Sequence, residues 1–129
     1  MLDARSTAAP EVHPPIEIST AADWDAINAL LHTVFHSVPD EAMNEASRAL
    51  FEPERSLLVR SGAEVVAHAG AFTRELSVPG GVVPAAHVTN VGVAPTHRRQ
   101  GLLTRLMHRQ LRDIRSVGRE PGAVLWASE

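Results

Sequence analysis

Val91-Gly92-Val93-Ala94-Pro95-Thr96-His97-Arg98-Arg99-Gln100-Gly101-Leu102-Leu103 decides how the chain is read. It reads as a strand, a sharp turn and the opening of a helix whose first backbone amides have no intrahelical partner. Those amides and the positive end of the helix dipole form an anion site suited to a pyrophosphate. Gly101 removes a Cβ where phosphate oxygens would approach the backbone, and Arg98 and Arg99 add positive charge at the mouth. The stretch is not a Walker loop, because G-x-x-x-x-G-K-[ST] is absent. Nor is it a dinucleotide fingerprint, because only one glycine lies in the turn. An ordinary strand–turn–helix unit without a ligand is the plain alternative.

Downstream, Leu102, Leu103, Leu106, Met107, Leu111 and Ile114 form the apolar stripe of a helix predicted over residues 99–117. Gly118 fits its C-cap, and Arg112 and Arg115 suit the negative end of its dipole. Residues 123–127 read as a final strand. Upstream, residues 1–15, with Pro10, Pro14 and Pro15, read as a loose leader, and residues 16–18 as a short strand. Thr20 suits an N-cap, with Asp23 three residues on as an imperfect capping box. Trp24, Ile27, Leu30, Leu31, Val34 and Phe35 then predict a helix over 21–36. A second helix is expected over 40–50, with Met43, Ala46, Ala49 and Leu50 inward, bounded by Pro39 and Pro53. From Ser56 the period changes. Leu57 to Val59 is a strand, Ser61-Gly62 a turn, residues 64–78 a long strand, and Pro79-Gly80-Gly81 a turn into an antiparallel return over 82–93. Pro84 lacks a ladder donor and places the start of that strand at an edge or bulge. The strand–helix–strand order predicts that residues 88–93 and 123–127 are parallel neighbours joined by a right-handed crossover, in an α/β fold with a mixed sheet.

A chain of 129 residues has room for one domain, and 44% apolar with 21% charged residues is ordinary for a soluble globular protein. No apolar run is long enough to span a membrane and no signal-peptide pattern opens the sequence, so no membrane partner is expected. Without cysteine there is neither a disulfide frame nor a thiolate metal site, and a cytoplasmic setting is expected. Residues 1–54 carry ten acids and two arginines, a local charge of −8, whereas residues 98–129 carry seven arginines and three acids, a local +4. Two solvated helix faces would explain this; so would a phosphate-facing segment beside one that attracts a cationic substrate. The arginine-rich helix is not read as a nucleic-acid site: its apolar stripe belongs to the core, the total charge is −3, and no aromatic interleaves the arginines. His32 and His36 stand at i, i+4 without a third ligand, so no metal is assigned.

The same residues resemble the GNAT superfamily of N-acetyltransferases, whose signature V-x-V-x-P-x-x-[QR]-x-x-G-x-[GA] is met by Val91, Val93, Pro95, Arg98 and Gly101. Leu103 departs from its last small residue. The string from Ala94 to Leu103, with Ala127-Ser128-Glu129 one helix and turn later, is similar to the enhanced-intracellular-survival (Eis) branch. The resemblance covers residues 16–129 and implies an α+β mixed sheet of the GNAT acyl-CoA N-acyltransferase fold, truncated after its fifth strand. It implies that backbone groups at Val91, Gly92 and Val93 hold the pantetheine arm and thioester of acetyl-CoA, a co-substrate. Amides from Arg98, Arg99, Gln100, Gly101, Leu102, Leu103 and Thr104 would hold the pyrophosphate. Ser128 and Glu129 would lie beside the pantetheine where the two parallel strands splay. The implied reaction is direct attack of a free amine on the thioester, with a strand N–H polarising its carbonyl, and without a metal or a covalent enzyme intermediate.

Such a reaction needs a base for the amine and an acid for the departing thiolate. In the Eis branch the acid is a tyrosine a few residues past the Ser-Glu pair, and the base is the far C-terminal carboxylate of a longer protein. This sequence has no tyrosine and ends at Glu129, so no catalytic acid or base is assigned. The chain is expected to be an N-terminal fragment, itself without turnover. His87 and Glu75, on the strands expected to face the cleft, are candidates for a proton relay or for plain structural roles. Three functions are carried forward. The first is an N-acetyltransferase acting on a small-molecule or peptide amine, either an aminoglycoside-like polyamine or a lysine side chain. The second is a non-catalytic acyl-CoA-binding module, and the third a small α/β interaction domain that binds no CoA. A homo-oligomer remains open for the full-length protein.

Gly101→Asp should abolish CoA binding with little change in fold, because its carboxylate would stand among the phosphate oxygens. Calorimetry showing CoA bound as tightly as by the parent would mean that the phosphate site is misplaced.

Overall fold

The computed structural model describes residues 14–38 and 40–125; most of the expected leader, Pro39 and the last four residues lie outside them. Along the chain come β1 (Glu17–Ile18), α1 (Trp24–Phe35), α2 (Glu41–Leu50), β2 (Leu57–Ser61), β3 (Glu64–Val78), β4 (Gly81–Val93), α3 (Leu102–Val117) and β5 (Ala123–Leu125). They build a five-stranded sheet in the order β1-β2-β3-β4-β5. The first four strands pair antiparallel, and β5 lies parallel to β4, with Ala86 opposite Ala123 and Val88 opposite Leu125. The mixed sheet and the parallel last pair are those expected from the strand–helix–strand order, but the pairing falls on residues 86–88, so that only Val88 of the expected stretch 88–93 takes part.

Period-2 alternation gives the sheet two apolar faces. Leu57, Val59, Ala67 and Ala69 meet Leu102 and Leu106 of α3 on one face, while Leu58 and Val65 meet Ile27, Leu30 and Leu31 of α1 on the other. Pro79 and Gly80 close the hairpin, with Gly80 at φ 92°, a left-handed conformation that suits glycine. Pro84 lies opposite Glu75. Two residues on, the Ala86 N–H donates to the Gly122 carbonyl at 3.2 Å, so by alternation the missing Pro84 donor lies on the β5 side, before β5 begins. Arg55 holds both oxygens of Glu120, at 2.6 and 2.9 Å, and so ties the loop before β5 to the turn before β2.

Three expectations change. The apolar positions of α2 face outward, with Met43 65% and Leu50 51% exposed and Ala46 and Ala49 also exposed. The helix is anchored by its polar side: Asn44 Oδ1 accepts from Trp24 Nε1 at 2.9 Å and from Asn28 Nδ2 at 2.7 Å. Helix α3 starts at Leu102 rather than at residue 99, because Arg99 and Gly101 have φ of 64° and 75°, outside helical space. Its buried stripe is Leu102, Leu106, Gln110 and Ile114, whereas Leu103 and Leu111 are about half exposed. Gln110 sits among apolar neighbours by donating to the Gly70 carbonyl at 3.0 Å.

Helix α1 closes tightly onto β4 at Gly92, where a side chain would crowd Val34. A Cβ on Gly92 would stand 3.1 Å from Val34 Cγ1 and 3.3 Å from Cγ2. Gly92→Val should therefore lower unfolding stability by roughly 1–3 kcal/mol through overpacking. Adding Val34→Ala should recover part of the loss, read as a non-additive double-mutant cycle in urea unfolding. Strict additivity would show that the two residues do not press on each other.

Candidate functional site

A cleft of about 630 Å³ opens between the end of α1, the last residues of β4 and the start of α3. Its floor is made by the local breaks in regular structure. Pro95–His97 form a single 3₁₀ turn, and the left-handed residues Arg99 and Gly101 then swing the chain into α3. The first intrahelical bond runs from the Arg105 N–H to the Gly101 carbonyl at 3.0 Å, and no side chain caps the helix. The N–H groups of Leu102, Leu103 and Thr104 are thus without helical acceptors, and all three residues line the cleft.

Nine of the expected site residues meet here: Val91, Gly92, Val93, Arg98, Arg99, Gly101, Leu102, Leu103 and Thr104. Gln100 belongs to the same loop but is exposed and off the cleft wall, and Ser128 and Glu129 lie outside the described residues. A Cβ on Gly101 would meet nothing within 4 Å, so this glycine answers to its φ rather than to crowding by the protein. Aspartate tolerates that conformation better than most residues. His87 and Glu75 do not reach the cleft. They pair with Phe72 and Pro84 in the outer half of the hairpin, whereas the cleft is lined by β4 only from Val91 onward. His36 is the left-handed C-cap of α1 at φ 52° and lines the cleft, and His32 Nδ1 lies 2.6 Å from Ser37 Oγ. Among the described residues no group of three His, Cys, Asp or Glu side chains could hold a metal.

The sequence reading missed a second feature. Between His68↔Gly92 and Gly70↔Thr89, β4 places Asn90 and Val91 against Ala69 alone, which is a β-bulge. Asn90 has φ 54°. His68, 1% exposed, has Nδ1 2.7 Å from the Asn90 carbonyl and Nε2 in a very short contact with the Ser56 hydroxyl. A carbonyl only accepts, so Nδ1 carries the proton and Nε2 accepts from Ser56. Two sequence signals mark the spot: an Asn inside a strand pattern, and a lone His in the run Val65 to Ala71.

The mixed sheet, with helix amides lacking acceptors beside a bulged strand, defines an α/β domain whose cleft is lined by backbone donors. Residues 16–129 match the acetyltransferase (GNAT) domain, and the chain belongs to that family. It is 49% identical over 109 residues to an uncharacterized N-acetyltransferase of Streptomyces avermitilis, covering 83% of this chain and 26% of that protein. It is 38% identical over 115 residues to the N-acetyltransferase Eis of Mycobacterium tuberculosis, covering 85% of this chain and 28% of Eis. The crystal structure of Eis1 from Mycobacterium abscessus superposes with a TM-score of 0.76 at 38% identity, over 89% of this chain and 29% of Eis1. The chain spans little more than a quarter of the length of these relatives.

Burial holds the His68 imidazole down at about 4, against a smaller upward pull from the Asn90 carbonyl. In the unfolded chain the ring returns to about 6.5. Between those values the unfolded chain binds the extra proton, so the stabilising effect of the neutral ring is complete above about pH 6.5 and is lost as pH falls towards 4. Urea unfolding should show stability falling by up to about 1.4 kcal/mol per pH unit in that window from this group. The slope should be shallower in His68→Asn; equal slopes would mean that the ring is not buried neutral.

Proposed function

We propose that the cleft binds acetyl-CoA and that the chain is the donor-binding part of an N-acetyltransferase acting on a primary amine, either an aminoglycoside-like polyamine or a lysine side chain. The observation that carries this reading is the meeting, in one cleft, of three uncapped helix amides with the backbone of a bulged strand. The amides suit a pyrophosphate and the strand suits an amide-rich pantetheine arm. Arg98 and Arg99 stand exposed on the same wall, where their charge favours a polyanion, and the open space beside Gly101 leaves room for phosphate oxygens.

Acetyl-CoA supplies an activated thioester: the amine nitrogen bonds to the acetyl carbon, the C–S bond breaks, and the ammonium proton leaves while CoA departs as the thiolate or thiol. The chain's own residues bind and orient. The α3 amides and the two arginines fix the phosphates, and the backbone from Val91 to Val93 lays the pantetheine along the strand. A strand N–H would stabilise the charge that develops on the thioester oxygen. The charge of −8 over residues 1–54 supports a cationic acceptor.

Titration calorimetry with CoA tests the proposal. The parent chain should bind CoA, more weakly at higher salt, and the double variant Arg98→Ala/Arg99→Ala should bind about tenfold or more weakly. Absence of CoA binding by the folded parent would overturn the assignment.

A further inference from the structure

The bulge in β4 is held from behind by a side chain to which no role has been given. Asn90 O and Val91 N–H belong to one planar, trans peptide unit, so they point in opposite directions. His68 on β3 donates through Nδ1 to that oxygen. Its partner therefore turns away from β3, towards the side of β4 where Val91 lines the cleft. The ring itself is fixed at both ends. Ser56, buried just before β2, donates to Nε2, and a Cβ on Gly70 would stand 3.1 Å from His68 Cε1, so a larger residue there would press on the ring. A histidine bonded at both ring nitrogens thus sets the orientation of the peptide that leads into Val91, which lines the cleft.

We infer that His68 is a positioning residue, which holds the Asn90–Val91 peptide so that the Val91 N–H is presented to the thioester carbonyl of the acyl donor. The inference rests on the donor-site reading above. It also names which strand N–H makes the contact and which side chain aims it. His68 touches no substrate; it acts through the Asn90 carbonyl. Among the described residues no charged side chain bonds to the ring, whose polar partners are Ser56 and the Asn90 backbone.

The test compares acetyl-CoA with CoA, since only the former brings a thioester carbonyl to the Val91 amide while both bring the same phosphates. Calorimetry is run on the parent and on three variants. His68→Met removes both ring bonds. His68→Gln ends its amide at the Nε2 position and keeps only the Ser56 side. His68→Asn ends its amide at the Nδ1 position and keeps the donor to Asn90. His68→Met and His68→Gln should bind CoA like the parent but acetyl-CoA about three- to tenfold more weakly, the range expected for one lost hydrogen bond. His68→Asn should restore the parent's ratio. On the parent, the Val91 amide resonance should shift with acetyl-CoA and not with CoA. A ratio unchanged in Met and Gln variants, or Asn and Gln variants that behave alike, overturns the positioning role alone. A folded parent that binds neither ligand overturns the donor site and this inference together. Should His68→Met fail to fold, the Asn–Gln comparison decides by itself.

Discussion

Between His68 and Gly70, β4 fits two residues against one of β3, and the side-chain phase of β4 changes there. Before the bulge Val88 pairs with Ala71, which faces α3; beyond it Val93 pairs with Ala67, which faces α3 as well. Even-numbered residues therefore face α3 on one side of the bulge and odd-numbered residues on the other. Val91 and Val93 join the α3 cluster for this reason, and Gly92 is left to meet α1. Without the extra residue the three would exchange faces, Val91 and Val93 would run into α1, and the cleft wall would close. The loop that follows, and the point at which α3 can begin, are both set from this strand end.

The bulge has its own requirements. Asn90 must adopt a left-handed backbone, which asparagine tolerates better than most residues, and its carbonyl is turned out of the ladder. A buried carbonyl left unmatched would be costly, and a buried imidazole with free nitrogens equally so. Each resolves the other's deficit, and Ser56 completes the set. The cleft side of the same strand shows the opposite state: helix amides left without acceptors, beside two exposed arginines. One strand end thus divides the mutually satisfied His68, Asn90 and Ser56 from a wall whose helix amides have no acceptor in the chain.

Much of the fold was legible because its signals are local. The hairpin turn at Pro79-Gly80, the long strand over 64–78, the C-cap at Gly118 and the strand–turn–helix around Gly101 each follow from residues within a few positions. What escaped depended on choice between faces or on distant partners. Met43, Ala46, Ala49 and Leu50 form as good a stripe in sequence as any core helix. Their outward placement follows from Asn44 meeting Trp24 and Asn28, sixteen or more residues earlier in the chain. Leu102 to Ile114 offers more apolar positions than one contact face can use, and the choice of Gln110 over Leu111 depends on the Gly70 carbonyl. Most of the residues lining the candidate cleft were legible through its glycine and arginines. His68 was not, because its meaning lies in a carbonyl 22 residues away whose direction depends on the bulge.

Pro84 stands two residues before the point where β5 takes up its pairing with β4. Among the described residues β5 pairs with β4 at three positions, and in a sheet the permitted slides are steps of two residues. A two-residue step towards the hairpin tip would set the carbonyl that now serves Ala86 against a nitrogen with no hydrogen to give. Proline therefore acts as an end stop, which makes one alignment of β5 on β4 cheaper than its neighbour.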